Sequence, residues 1–272
     1  MQKLESAHAA RKNDTDDYIS DYSFRGQSSS CWRLETTLER YPHCVLGVED
    51  YYRTLLVIKP QLETFTERTW ATPSFSDYVK LMDHPGFFFD DSDFPAYEYF
   101  VYLRHHAFPS PLLDWTASPY VAAYFAFHDV SSKARNVSIY AYCGWTTGQK
   151  SGSSGQAEIT ELGPYVRSHR RHFHRQSRYT ICTIRRNGKY EYAPHEDVFT
   201  TNNKDQDELW KFNIPSSERH KVLARLEKYN INALSLFGSE ESLLQTLAVR
   251  RIFLAKQTGL HVTSGLRSLT KK

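Results

Sequence analysis

The sequence predicts an α+β fold in which a small mixed or antiparallel sheet packs with several helices. Residues 137–143 and 179–184 are short β-branched and aromatic runs of strand length. Residues 49–82 and 119–127 set apolar side chains at helical intervals. A further strand is expected around Phe24-Arg25-Gly26, running into a loop near residue 33.

Composition bounds the rest. Of 272 residues, 40% are hydrophobic and 14% aromatic, which marks a globular chain rather than a disordered one. A formal charge of +3 is too small for its total to imply a nucleic-acid partner. No stretch reaches the length of a membrane-spanning helix, and residues 1–17 read as a polar leader without a signal-peptide core. Cys31, Cys44, Cys143 and Cys182 lack metal-type spacing, so free thiols in a reducing cytoplasm are expected and no metal is assigned.

Residues 18–255 are expected to form one globular unit with a helical insertion at about 36–100, followed by a polar tail at 256–272. Within the insertion, Tyr52, Leu55, Leu56 and Leu62 mark a helix over 49–65 that Pro60 should break or kink. Residues 75–82 form a second helix. Residues 84–95 form a loop whose aromatics either cover a pocket, stack on a base or anchor the loop to the core. Ser118-Pro119 pairs an N-cap residue with proline at the first helical position. That helix end can receive an anion or be an ordinary capped terminus. Residues 146–157 read as a surface loop. In the last third, Ser216 or Ser217 caps a helix bearing Leu223 and Leu226, stopped near Asn230. Residues 231–237 read as a short strand. Ser239 caps a final helix with Leu243, Leu244 and Leu247 facing inward.

Chemistry concentrates in four places. Residues 98–127 put His105, His106, Asp114, Trp115, Thr116 and Ser118 between two apolar helical runs, a polar density that a pure core segment does not need. Arg25 can make planar bidentate contact with phosphate or carboxylate, or pair internally and stiffen the fold. Residues 166–178 form a basic block, suited to phosphates or to a solvated face. Glu196, and less well Asp197, is either a catalytic carboxylate or part of a solvent-facing turn.

The pattern His105, Pro109, Leu112-Leu113-Asp114-Trp115-Thr116, Ser118-Pro119, Ala122 and Phe125-Ala126 resembles the central motif of the FRG domain family. Phe24-Arg25-Gly26-Gln27 stands upstream as its Phe/Tyr-Arg-Gly signature, and the resemblance covers roughly residues 20–240. Two departures stand out: Ala107 where glycine is usual, and Pro111 where a basic residue is frequent. Arg175-Gln176 ahead of Tyr179-Thr180-Ile181 looks like the family's downstream glutamine motif.

The order of parts is similar to ADP-ribosyltransferases: an early arginine strand, a Thr-x-Ser corner entering a helix, and a late Gln or Glu. The resemblance implies an ADP-ribosyltransferase-like core that uses NAD as substrate, held by Arg25, Gly26, Gln27, Thr116, Ser118 and Gln176. Glu196, His105 and Asp114 are the implied catalytic residues, although Asp114-Trp115 can equally be a structural lock. Arg170, Arg171, Arg175 and Arg178 would guide a nucleic-acid acceptor. The implied role is a cytoplasmic toxin or anti-phage defence component with an antitoxin or immunity partner and no membrane. Two alternatives stand beside it: a non-catalytic nucleotide or nucleic-acid sensor, and a metal-independent hydrolase or nuclease using His105, His106, Asp114 and Glu196.

Overall fold

The computed structural model describes residues 22–41, 47–83, 94–129, 134–144, 155–163, 174–199 and 207–255. The leader, the tail, most of the 84–95 and 146–157 loops, and residues 166–173 of the basic block lie outside the described residues. The elements run β1 (Ser23–Gln27), α1 (Val48–Thr66), α2 (Phe75–Met82), α3 (Tyr97–His105), β2 (Leu113–Thr116), α4 (Pro119–His128), β3 (Asn136–Cys143), β4 (Ala157–Leu162) and β5 (Ser177–Arg186). Then come β6 (Lys189–Tyr192), the single turn α5 (His195–Val198), β7 (Glu208–Pro215), α6 (Arg219–Lys228), α7 (Ala233–Phe237) and α8 (Glu240–Ala248).

The seven strands make one antiparallel sheet in the order β4-β5-β2-β1-β3-β7, with β6 paired to β5. The fold is therefore α+β, as the sequence predicts. Strand periodicity sorts the side chains. Phe24 and its cross-strand neighbour Ala141 pack on Ala122 of α4. Tyr140 and Tyr142 project from the opposite face and join Leu34, Leu113, Trp115, Ile159 and Cys182. Helices α1, α2 and α3 build a third cluster on Leu162, Tyr179 and Ile181, with Tyr52 stacked on Tyr78 at 3.6 Å. A fourth joins α4, α6 and α7 around Phe127, Leu223 and Leu236.

Three expectations are corrected. Residues 231–237 are not a strand: Ala233–Phe237 is helical, because the Asn232 side chain accepts from the Ser235 amide while Ser235 Oγ accepts from the Asn232 amide. That capping box outweighs the β-propensity of the run. Pro60 does not end its helix, which continues to Thr66 with Leu62 packed on the same cluster as Tyr51, Tyr52 and Leu55. In α8 the leucines face outward, Leu244 at 60% exposure, while Ser242 and Thr246 are buried. Thr246 Oγ1 accepts from the Leu234 amide at 2.9 Å, and that bond turns the polar stripe inward. No described helix is long and apolar enough to cross a membrane.

Candidate functional site: a cleft between diverging strands

β1 and β2 share a single register pair, Phe24 opposite Thr116. Beyond it the strands diverge, and a side chain takes over from the ladder: Arg25 Nη1 donates to the Asp114 carbonyl at 2.7 Å. The divergence opens a cavity of about 510 Å³, within the range of small-molecule sites. Its walls are Phe24, Arg25, Gly26 and Gln27 from β1, Asp114, Trp115 and Thr116 from β2, and His105 from the end of α3. Phe125, Arg175, Ser177 and Tyr179 complete the interior. The loop after β1 contributes Ser28, Cys31, Trp32, Arg33, Glu35 and Arg40.

Gly26 is fixed by packing. A Cβ there would lie 1.9 Å from the Ala122 carbonyl oxygen and 2.6 Å from the Ala126 amide nitrogen. Helix α4 thus crosses β1 backbone to backbone, with Ala122 and Ala126 as the small residues that permit it. The helix starts where Ser118 caps it, its Oγ accepting from the Val121 amide at 3.4 Å. Thr116 Oγ1 donates to the Arg175 carbonyl at 2.6 Å and accepts from the Ser118 amide at 3.1 Å, closing the corner between β2 and α4.

Charge is arranged in layers. Arg104 of α3 donates to Asp114 Oδ2. Burial works to raise the Asp114 pKa, but Arg104, Arg25 and His105 outweigh it and hold the carboxyl below its ordinary value. Burial pulls the Arg25 guanidinium down to about 10, with Asp114 opposing and Arg104 and Arg40 adding to the drop. His105 Nε2 shares a hydrogen bond with Tyr179 Oη at 2.9 Å, and burial pushes the Tyr179 phenol above its usual range. Behind the cavity wall, Trp115 Nε1 donates to Thr180 Oγ1, and Thr180 in turn bonds His195 Nε2, each at 2.8 Å. Burial, reinforced by Arg25, draws His195 down to about 3, so it is neutral across the physiological range.

Of the residues singled out from the sequence, Arg25, Gly26, Gln27, His105, Asp114, Thr116 and Arg175 converge on the cavity. Others do not line it. Ser118 caps α4. Gln176 sits in the left-handed region at φ 49° and gives its carbonyl to the Ala117 amide. Arg178 donates to Ser23 Oγ at 3.3 Å. Glu196 accepts from the Leu34 amide at 2.8 Å and pairs with Arg33 at 3.3 Å, so its carboxylate anchors the loop at the cavity mouth. Arg170 and Arg171 lie outside the described residues. Arg175 lies over the rings of Phe125 and Phe237 at 5.7 and 4.2 Å, an aromatic seat for a guanidinium.

The loop residues Trp32, Arg33, Glu35 and Arg40 were not foreseen. Only the Trp32-Arg33 pair, set off from the Phe24-Arg25-Gly26-Gln27 strand by Ser28-Ser29-Ser30-Cys31, offered a signal. Ala107, where a glycine is usual in the resembling family, takes φ 63° all the same. The turn after α3 is kept, and the alanine carries the strain.

The FRG domain model matches residues 20–135. No curated protein and no solved structure matches the chain. The matched segment ends before β3, yet its strands pair with β3 and β5 outside it, so the sheet does not divide at that boundary.

Proposed function

We propose that the protein, whose residues 20–135 match the FRG domain model, holds NAD in the cleft between β1 and β2 and transfers its ADP-ribose moiety to a macromolecular acceptor. One observation carries this reading. Arg25, Arg33, Arg40 and Arg175 line a single cavity, against two carboxylates, Asp114 and Glu35, and beside the rings of Trp115, Phe125 and Tyr179. The inner guanidiniums, Arg25 and Arg175, suit a pyrophosphate, and aromatic walls suit nucleotide rings. In the transfer, the bond between nicotinamide and the ribose C1′ breaks, an acceptor nucleophile bonds to C1′, nicotinamide leaves and the nucleophile's proton passes to solvent. Asp114, kept ionised by its arginines, supplies a fixed negative charge toward the oxocarbenium character that develops. The His105–Tyr179 pair offers polar contacts to ribose hydroxyls. Glu196 acts by holding the loop through Leu34, a positioning role.

A second reading, a nucleotide sensor without turnover, draws on the engagement of Asp114 with Arg104 and of Glu196 with the Leu34 amide. The test is to incubate the protein with NAD and with nucleic acids or cell lysate, following free nicotinamide and adduct mass. Nicotinamide release with an added ADP-ribose mass, lost in Asp114→Asn, is the expected result. Tight NAD binding without consumption would favour the sensor. Absence of both binding and consumption by folded protein would refute the cleft assignment.

A further inference from the structure

Trp32 occupies an unusual position. Its residue surface is 51% exposed, although it lines the cavity. Tryptophans of folded proteins are buried on average. Two other exposed aromatics have partners, Tyr229 contacting Tyr120 at 5.9 Å and Trp210 Nε1 donating to Glu208; Phe65 and Tyr41 are exposed as well, but unlike Trp32 they do not line the cavity. Trp32 makes no ring stack, cation contact or side-chain hydrogen bond with the described residues, while its amide forms only the local turn to Ser29. A free indole face therefore stands at the mouth. Around it, Arg33 and Arg40 are exposed, and Lys211 Nζ donates to the Ser30 carbonyl of the same loop. Glu35, Glu196 and Asp197 act on Arg33 and offset that rim charge, while Arg25 and Arg175 add guanidiniums inside the cavity.

We propose that this rim takes an unpaired nucleobase of a single-stranded nucleic acid, the base stacking on Trp32 and the adjoining phosphates meeting Arg33, Arg40 and Lys211. Every base has a π-face for an indole, and a strand carries an anion per nucleotide for the cations beside it. A duplex keeps its base faces inside its own stack and cannot offer them. The inference rests on the reading above in one respect: with a dinucleotide inside the cleft, the ring on Trp32 belongs to the acceptor. It makes the acceptor single-stranded.

Fluorescein-labelled oligothymidylate and oligouridylate, single-stranded and as duplexes with their complements, report binding by anisotropy, while calorimetry follows ADP-ribose. The expected result is preference for single strands. Trp32→Ala then weakens strand binding roughly ten- to hundredfold, a larger loss than it causes for ADP-ribose, and Trp32→Phe keeps most of the strand binding. At this exposure both variants fold, checked by circular dichroism. Failure of the parent to bind single strands overturns the proposal. So does strand binding that is indifferent to Trp32, or a Trp32→Ala loss confined to ADP-ribose, which would give the indole to the bound nucleotide. If neither ADP-ribose nor NAD binds while strand binding still depends on Trp32, the cleft assignment falls and the stacking rim stands.

Discussion

Gly26→Ala tests how α4 is seated on β1. The added methyl would lie 1.9 Å from the Ala122 carbonyl oxygen. To reach ordinary contact at 3.4 Å, the helix must retreat by about 1.5 Å. The obstacle is backbone on both sides, since Ala126 N is the next atom at 2.6 Å, so no rotamer change relieves it. Gly26 is not among the positive-φ residues, which leaves the close approach as the cause. Overpacking costs typically 1–3 kcal/mol, and a clash with a helix backbone belongs at the upper end, about 3 kcal/mol. For a domain of this size that lowers Tm by roughly 6–12 °C. Thermal and urea unfolding of the variant measure it. Ala122→Gly supplies a diagnostic, because removing that side chain leaves the obstructing carbonyl in place. A Tm shift under about 2 °C, or rescue of Gly26→Ala by Ala122→Gly, would refute the backbone-contact argument.

Two further outcomes are expected. Glu196→Ala leaves the buried Leu34 amide without its acceptor and costs about 1–3 kcal/mol in urea unfolding. Glu196→Gln keeps an acceptor oxygen and most of the stability; any ADP-ribosyl transfer should survive in it, and a complete loss of transfer in folded Gln variant would restore Glu196 as a catalytic carboxylate. His195 links stability to pH. Unfolded, its imidazole takes a proton near 6.5; folded, not until about 3. The unfolded chain therefore binds more protons between those values. The stabilisation is complete above pH 6.5 and is lost as pH falls, by about 2 kcal/mol at pH 5 from this group. His128, also shifted down chiefly by burial, adds in the same direction. His195→Asn should lower overall stability yet flatten the slope between pH 7 and 5, read by urea unfolding across that range. An unchanged slope contradicts the assignment.

Legibility in the sequence followed locality. The strands at 137–143 and 179–184, the helix at 75–82 and the Ser118 cap were readable because each is set by neighbours within a few residues. The cavity walls from β1 and β2 were readable too, since Arg25 and the Asp114–Thr116 run lie in compact motifs that bring their own strands. What stayed hidden depends on distant closure. Glu196 meets Leu34 across 162 positions, and nothing in the spacing of either shows that the acid will cap a loop. Arg104 lies ten positions from Asp114 on a separate element, and only the fold sets the one on the other. Gly26 carries the same lesson inversely. It stands among the residues expected to hold NAD and it does line the cavity, but the Cβ distances show that the seating of α4 also demands a glycine there. The signature thus divides its labour: the glycine admits the helix, and the arginine, carried on the strand that the helix clamps, spans the gap to Asp114 where the sheet parts. That coupling holds Arg25 in place without a ladder partner of its own on the β2 side, and such a fixed guanidinium suits the charged ligand proposed for the cleft.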